Sequence, residues 1–457
     1  MQLLKNHKAL LKILLAAFII FAWPIIYYPL TDGDIVNWAQ YAGKIHSVSD
    51  AFSTSSDQGH GPLMIWTGAL FLNIFGSSFF ALNFFNLMLG LLGIALMYYF
   101  SLKFFSHKTA KLSAFLGTNS IAFVYLSRTP MYDWPATIMF FTFCVFYLLF
   151  IKEEKNHQFL IALTAIGIGS TSRFSICLGL AGIFILLVGL IHKHSLFKII
   201  KHGFYLILSI GCFNIPWLLL QFKAEGFNFI KTFIYDNTGR YVKSTRPDAY
   251  IRKDYYGFSL YILIGLLPYT FAFIGSFFQK GILNRLKENK TYLCLLSGFL
   301  PCFILFSFSG HTKLARYIAY VFPFVLLLLS DLMIRFDLNN KQYRKRCGKM
   351  TIATMIILVI ILTQQAFQFQ EEASQSLLFV ISVIVLLFSL LILAYYTVTK
   401  KHETLANNPE NLVWLNAIIY VAFFTVLTYE SFNADFLLWV RTGIESTLPN
   451  IPLNIFQ

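Results

Sequence analysis

A polytopic bundle of transmembrane α-helices is the fold class that the sequence predicts, and three observations carry it. Apolar runs of roughly 20 residues recur along the chain, each long enough to cross a bilayer about 30 Å thick as a helix. Only 12% of the 457 residues are charged, where a soluble domain carries about 25%. The runs are continuous and do not alternate as the strands of an outer-membrane barrel must.

Hydropathy places about 13 helices, near 10–30, 79–102, 112–127, 134–151, 158–171, 174–191, 203–221, 257–278, 291–308, 314–334, 350–367, 376–397 and 412–429. The first run is flanked by Lys5, Lys8 and Lys12. It is too long for a signal peptide and lacks a small-residue cleavage pattern, so it reads as a retained first helix. The pair over 158–191 is split only by the short polar turn in "IGSTSRFSIC".

Charge orients the bundle. With the N-terminus in the cytoplasm and the spans alternating, the inner segments hold 23 of the 36 Lys and Arg residues, and seven of the other 13 fall in the single loop 223–253. That bias follows the positive-inside rule. The net charge of +15 is thus mainly a topology signal. Dispersed over many short loops, it does not form a nucleic-acid surface. Cys144, Cys177, Cys212, Cys294 and Cys302 fall within spans and Cys347 in an inner loop, so neither a disulfide nor a CxxC zinc site is expected.

Two outer segments exceed the usual short connections of helix bundles. The first opens with Asp32 and Asp34 at the mouth of span one. In "DIVNWAQYAGKI" the residues Ile35, Trp38, Tyr41, Ala42 and Ile45 recur at helical spacing, which predicts an amphipathic helix lying in the interface, apolar side down. A second such helix is expected from Pro62, since proline is tolerated in a first turn. The other long segment, 222–256, is basic and rich in Tyr and Phe. It reads either as a solvated loop with an aromatic belt or as a contact for a phosphate-bearing lipid or sugar.

Polar groups gather at the outer helix ends: Arg128 and Asp133 in "LSRTPMYDWPAT", Arg173 in the next turn, and His311, Lys313, Arg316 and Tyr317 in "GHTKLARY". Convergence on one side makes them functional candidates. Singly, each arginine is equally readable as a snorkelling side chain. Asp34 could cap the interfacial helix and Asp133 the fourth span, with Pro135 in its first turn. The histidines at 107, 157, 192, 194 and 202 fall at inner loops and read as solvated groups.

Taken in order, these elements resemble the GT-C membrane glycosyltransferases that use polyprenyl-phosphate sugars, within the protein O-mannosyltransferase-like branch that includes the lipid A aminoarabinose transferases. The resemblance covers roughly residues 1–335 and rests on seven pieces. They are Asp34 with Trp38, Ala39 and Ala42; Pro62, Leu63 and Trp66 in "GHGPLMIW"; Asp133; Arg173 in "TSRFSI"; Arg240 in "YDNTGRYV"; the "DYYGFSLYILIGLLPYT" stretch with Tyr256; and Lys313 with Tyr317 in "SGHTKLARYI".

The resemblance implies a catalytic membrane unit at 1–335 with outer loops 31–78 and 222–256, further transmembrane helices at 336–430, and a short outer tail at 431–457. It implies an inverting transfer from a polyprenyl-phosphate sugar to a lipid, glycan or protein acceptor at the outer face of a bacterial inner membrane, with no nucleic-acid partner. Asp34 is then the first choice for general base and Asp133 the second. Arg240, Lys313, Arg173 and His60 bind the donor phosphate, and Trp38, Tyr256, Tyr317 and Arg316 position substrate. The chain departs from the pattern where the family's metal ligands stand. Gly59 and Asn237 replace a Glu and a His, so that metal site is not expected and no cofactor is assigned. A divalent metal on Asp32, Asp34 and His60 is the remaining arrangement. A lipid-linked-sugar transporter or flippase is the alternative, against which stand the lack of an internal repeat and the crowding of polar groups at one face. An inactive scaffold subunit, given Gly59 and Asn237, is the third reading.

Overall fold

The computed structural model describes residues 2–22, 33–47, 50–51, 61–76, 78–235, 257–267, 269–277, 284, 287–308 and 315–335. These residues form helices and no strand. In chain order they are α1 (Gln2–Ala22), α2 (Gly33–Gly43), α3 (Leu63–Phe75), α4 (Phe79–Phe104), α5 (His107–Asn119), α6 (Ile121–Arg128), α7 (Asp133–Glu153), α8 (Asn156–Ser170), α9 (Phe174–Ile191), α10 (Leu196–Glu225), α11 (Phe227–Ile234), α12 (Gly257–Gly265), α13 (Thr270–Phe277) and α14 (Lys290–Phe308). A 3₁₀ segment, Ala315–Val321, then leads into α15 (Phe322–Arg335). Six stretches among them are long and apolar enough to cross a membrane: α4, α7, α9, α10, α14 and Arg316–Ile334. The three spans expected beyond 336 lie outside the described residues.

Several expected spans are built differently from a plain rod. The run 112–127 is two helices. Ser120 sits between them in extended conformation (φ −76°, ψ 136°), and its hydroxyl caps α6 by accepting from the Phe123 amide. The run 257–278 is likewise broken, between α12 and α13. The two breaks meet: the Ile121 amide donates to the Leu267 carbonyl at 3.2 Å. Non-helical backbone inside an apolar bundle must find such partners, because no water is present to satisfy it. The run 314–334 starts as a 3₁₀ turn before becoming α15.

One large core runs through α1, α4–α10, α12–α15 and the 3₁₀ segment, with Phe115, Phe140, Tyr147, Tyr269 and Tyr320 among its fully buried rings. A second, smaller core joins α2 to α3. Trp38, Ala39, Ala42 and Ile45 pack on Met64, Ile65 and Ala69, together with Met131 and Tyr132 from the turn before α7. The apolar stripe of α2 therefore faces α3 and that turn. Gly68 is required there, since a Cβ on it would stand 2.6 Å from the Trp38 ring.

Candidate active site

The turn 129–133 is where the two cores meet, and every residue in it is held. Asn86, one of two buried amides in the apolar α4, donates to the Thr129 carbonyl at 2.7 Å, and Trp134 Nε1 donates back to the Asn86 carbonyl at 3.2 Å. Trp38 Nε1 donates to the Pro130 carbonyl at 3.0 Å. The Ser172 hydroxyl donates to the Tyr132 carbonyl at 2.6 Å. A backbone fixed at three carbonyls presents the first residue of α7, Asp133, in one orientation.

Asp133 is fully buried. Arg173 Nη2 donates to its Oδ2 at 3.1 Å, and Arg173 Nε stands 3.0 Å from Oδ1 as an ion-pair contact without hydrogen-bond geometry. Arg316 approaches the same Oδ2 through Nε at 3.5 Å. The two-point contact with Arg173 is the closer one. Arg173 also lies over the Tyr132 ring, 5.7 Å from its centroid. Arg316 lies over Tyr317 at 5.8 Å, and its Nη1 reaches Met131 Sδ at 3.5 Å. Among the described residues, two guanidinium groups face this one carboxylate. The position before Asp133, Tyr132, is the N-cap and makes no side-chain cap, so Asp133 serves the two arginines instead of the helix end.

The α8–α9 turn that supplies Arg173 and Ser172 is also tied to the start of α3. The Leu63 amide donates to the Thr171 carbonyl at 3.4 Å. A Cβ on Gly61 would stand 1.9 Å from that same oxygen. Only glycine lets the chain after His60 pass this close. Further along, Trp66 Nε1 donates to the Ala51 carbonyl at 2.8 Å. Arg128, at the end of α6, donates to the Ile20 carbonyl of α1 and so clamps two helix ends.

The sequence-derived candidates thus divide. Asp133, Arg173, Arg316 and Tyr317 come together, with Trp38 one contact away. The resemblance placed Arg173 on a donor phosphate; here its guanidinium lies on Asp133. Asp34 lies in the first turn of α2, four residues before Trp38. Asp32, His60, Arg240, Tyr256 and Lys313 lie outside the described residues. Among the described residues no three His, Cys, Asp or Glu side chains gather as a metal site would require, and the one buried carboxylate of this cluster is held by cations. Asn86, Met131, Thr171 and Ser172 were not singled out from the sequence. The pair of amides in the apolar "NFFNLMLG" and the polar turn "STSR" were the available signals.

Comparison with known proteins agrees with this architecture. Residues 59–218 match the family model described as dolichyl-phosphate-mannose-protein mannosyltransferase. An uncharacterized protein of Aquifex aeolicus is 25% identical over 317 residues, 67% of this chain and 59% of its own length. The undecaprenyl phosphate-alpha-4-amino-4-deoxy-L-arabinose arabinosyl transferase of Wigglesworthia glossinidia brevipalpis is 23% identical over 340 residues, 71% of this chain and 59% of its own. The chain therefore spans about three fifths of the length of these curated relatives. The crystal structure of ArnT from Cupriavidus metallidurans bound to undecaprenyl phosphate superposes with a TM-score of 0.71 at 15% identity, over 91% of this chain and 75% of that one. Its apo form gives 0.70 at 14% identity, over 90% and 74%. The fold is thus similar to that of the ArnT structures, and the segment 59–218 is similar to the mannosyltransferase family model.

Proposed function

We propose that the chain is an inverting glycosyltransferase that moves a sugar from a polyprenyl-phosphate carrier to a cell-envelope acceptor, lipid A or another glycan or a protein, at the outer face of a bacterial inner membrane. The observation that carries the reading is the buried Asp133–Arg173–Arg316 cluster at one end of the bundle. Leaving of a lipid phosphate from the anomeric carbon builds negative charge on the phosphate oxygens. Fixed cations in a site of low dielectric stabilise that charge without reorganising. The cluster offers two guanidinium groups in fixed orientation.

Both oxygens of Asp133 are already engaged by arginine. Asp133 is therefore the group that orients the two cations, and the proton of a hydroxyl acceptor goes to Asp34. Trp38, one turn after Asp34 in α2, donates to the Pro130 carbonyl in the turn before Asp133. In this reading Arg240, Lys313 and His60 contact the donor phosphate, and Tyr256 and Tyr317 position substrate. The catalytic unit is 1–335, within a bundle of about 13 spans, and the helices beyond it complete the membrane domain.

The test is transfer by the purified full chain from radiolabelled polyprenyl-phosphate sugars to membrane extract. Asp34→Asn and Arg240→Ala are each expected to abolish incorporation while the protein stays monodisperse. Transfer that survives both substitutions overturns the site. Absence of transfer with every donor, together with substrate-driven uptake into vesicles, replaces the enzyme by a transporter.

A further inference from the structure

The opposite end of α7 holds a second cationic feature. Helix α7 has 21 residues, so its C-terminal Lys152 lies about 30 Å from Asp133 at 1.5 Å per residue. There a cavity of about 220 Å³ is lined by Lys152, Lys290, His192 and Thr291, with Phe104 and Leu148 as its apolar wall. A space below roughly 300 Å³ is small for a complete organic ligand but suits a headgroup. Directly beside it an apolar groove of about 530 Å³ runs between α9 and α14, lined by Ile183, Leu187, Leu296, Leu300 and Ile304. The two are continuous along both helices: Ile191 lines the groove and His192 the cavity, Leu293 the groove and Cys294 the cavity.

We propose that this pair of features binds an anionic phospholipid, its phosphate between Lys152 and Lys290 and one acyl chain in the α9–α14 groove. Glu153, the carboxylate next to Lys152 in sequence, is occupied by other groups. Glu153 accepts from Lys103 at 3.1 Å, Lys155 at 2.8 Å and Gln158 at 2.8 Å. Among the described residues Lys290 has no ion-pair partner. The Lys152 ammonium donates to the Lys103 carbonyl at 2.6 Å and lies 4.8 Å from the centre of the Phe104 ring, which fixes it at the rim. Lys290 and Thr291 also open α14, where the Thr291 amide is capped by Asn289 Oδ1 at 2.9 Å, so the lysines are the groups that would meet the phosphate. His192 senses the same field: burial first, then Lys290 and Lys198, push its imidazole below the ordinary value. On the groove side Leu300 and Ile304 are 41% and 52% exposed on a helix that crosses the membrane. Basic pockets flanking transmembrane helices select anionic headgroups in this way.

The experiment is native mass spectrometry of the purified full chain released from nanodiscs of phosphatidylglycerol, of phosphatidylcholine, or of phosphatidylcholine doped with undecaprenyl phosphate, with inorganic phosphate as a fourth, lipid-free arm. Phosphatidylglycerol adducts are expected on the wild type and not phosphatidylcholine adducts. Lys152→Gln and Lys290→Gln should each weaken retention about fivefold, the value of one lysine near a membrane surface. Leu296→Trp should abolish retention by filling the groove, and all variants should stay monodisperse and keep transferase activity in detergent. Equal retention of the two phospholipids overturns the proposal, because the groove is then an ordinary greasy surface. Retention unaffected by Leu296→Trp overturns it too, because the groove is then filled from within the chain. Preference for undecaprenyl phosphate, or for inorganic phosphate alone, also overturns the phospholipid assignment.

Discussion

The two ends of α7 carry the same chemistry in opposite surroundings. At one end Asp133 is wholly buried, with the Arg173 and Arg316 side chains 7% and 12% exposed. At the other, Glu153 is 18% exposed and meets Lys103 and Lys155, which are 37% and 55% exposed. A count of ion pairs would rate the ends alike. Solvent separates them: water can replace either lysine around Glu153 but none of the partners of Asp133. A buried pair is expensive to assemble and more expensive to break, since its remnant charge has nowhere to go. The exposed cluster contributes little beyond fixing its own geometry. Persistence of such a costly arrangement at the Asp133 end fits a site that acts on charge.

The largest effect should come from Asp133→Asn. It keeps the shape of the side chain but leaves two buried guanidinium groups facing an amide, with a loss of about 3–5 kcal/mol of stability, read as a fall in Tm in detergent. Adding Arg173→Gln should restore part of the Tm without restoring transfer. If the single variant melts like the wild type, the contrast between the two ends fails. Next comes Gly61→Ala. A methyl 1.9 Å from the Thr171 oxygen must push the chain off the α8–α9 turn, at a cost of about 1–3 kcal/mol. The same strain should displace Arg173, so transfer falls with the Tm. A Gly61→Ala protein of normal Tm and activity would show that this approach is looser than drawn.

Smaller still is Trp38→Phe. It removes one buried bond, worth about 1 kcal/mol, and keeps most of the ring against Gly68. If that bond aims α2, kcat should fall by more than the stability loss accounts for while KM for the donor holds. Loss of stability alone would make Trp38 a packing residue. Arg173→Lys should likewise hurt more than Arg316→Lys, because a lysine cannot reproduce the two-point contact on Asp133 but can replace a single 3.5 Å contact.

The helical membrane architecture was legible because bilayer thickness writes itself into run length; 174–191 reproduces α9 residue for residue. The breaks at Ser120 and Leu267 were absent from the hydropathy reading, although Thr118, Asn119 and Ser120 mark the one and Pro268 the other. Hydropathy averages over such residues, and the bond from Ile121 to Leu267 that joins the two breaks spans more than 140 residues. The site followed the same division. Asp133, Arg173 and Arg316 stood out as charges at helix ends, but their pairing depends on how three helices pack. The stripe on α2 was read correctly as a helix face, and only packing decides that it covers α3 and not lipid. Expectations for Asp32, His60, Arg240, Tyr256 and Lys313 fall outside the described residues and rest on the transfer assays.

The smallest expected effect is the most useful control. Glu153→Gln removes the carboxylate from the exposed end while keeping its shape and its contact with Gln158. Because Lys103 and Lys155 are largely hydrated already, the Tm should shift less than in any variant above, and the shift should vanish as salt rises and screens what attraction remains. The sign against pH is also fixed. The Glu153 carboxylate, through a hydrogen bond and its charge, raises Lys155 above its ordinary 10.5. A raised lysine contributes below its unfolded value and loses that contribution as pH rises through the folded one. Any difference between wild type and Glu153→Gln should therefore be constant through neutral pH, fall away above about 10.5 as Lys155 titrates, and vanish also at acid pH, where the carboxylate is protonated. A Tm loss as large as that of Asp133→Asn would show that exposure does not separate the two ends of α7, and the case for Asp133 as the centre of the site would lose its physical ground.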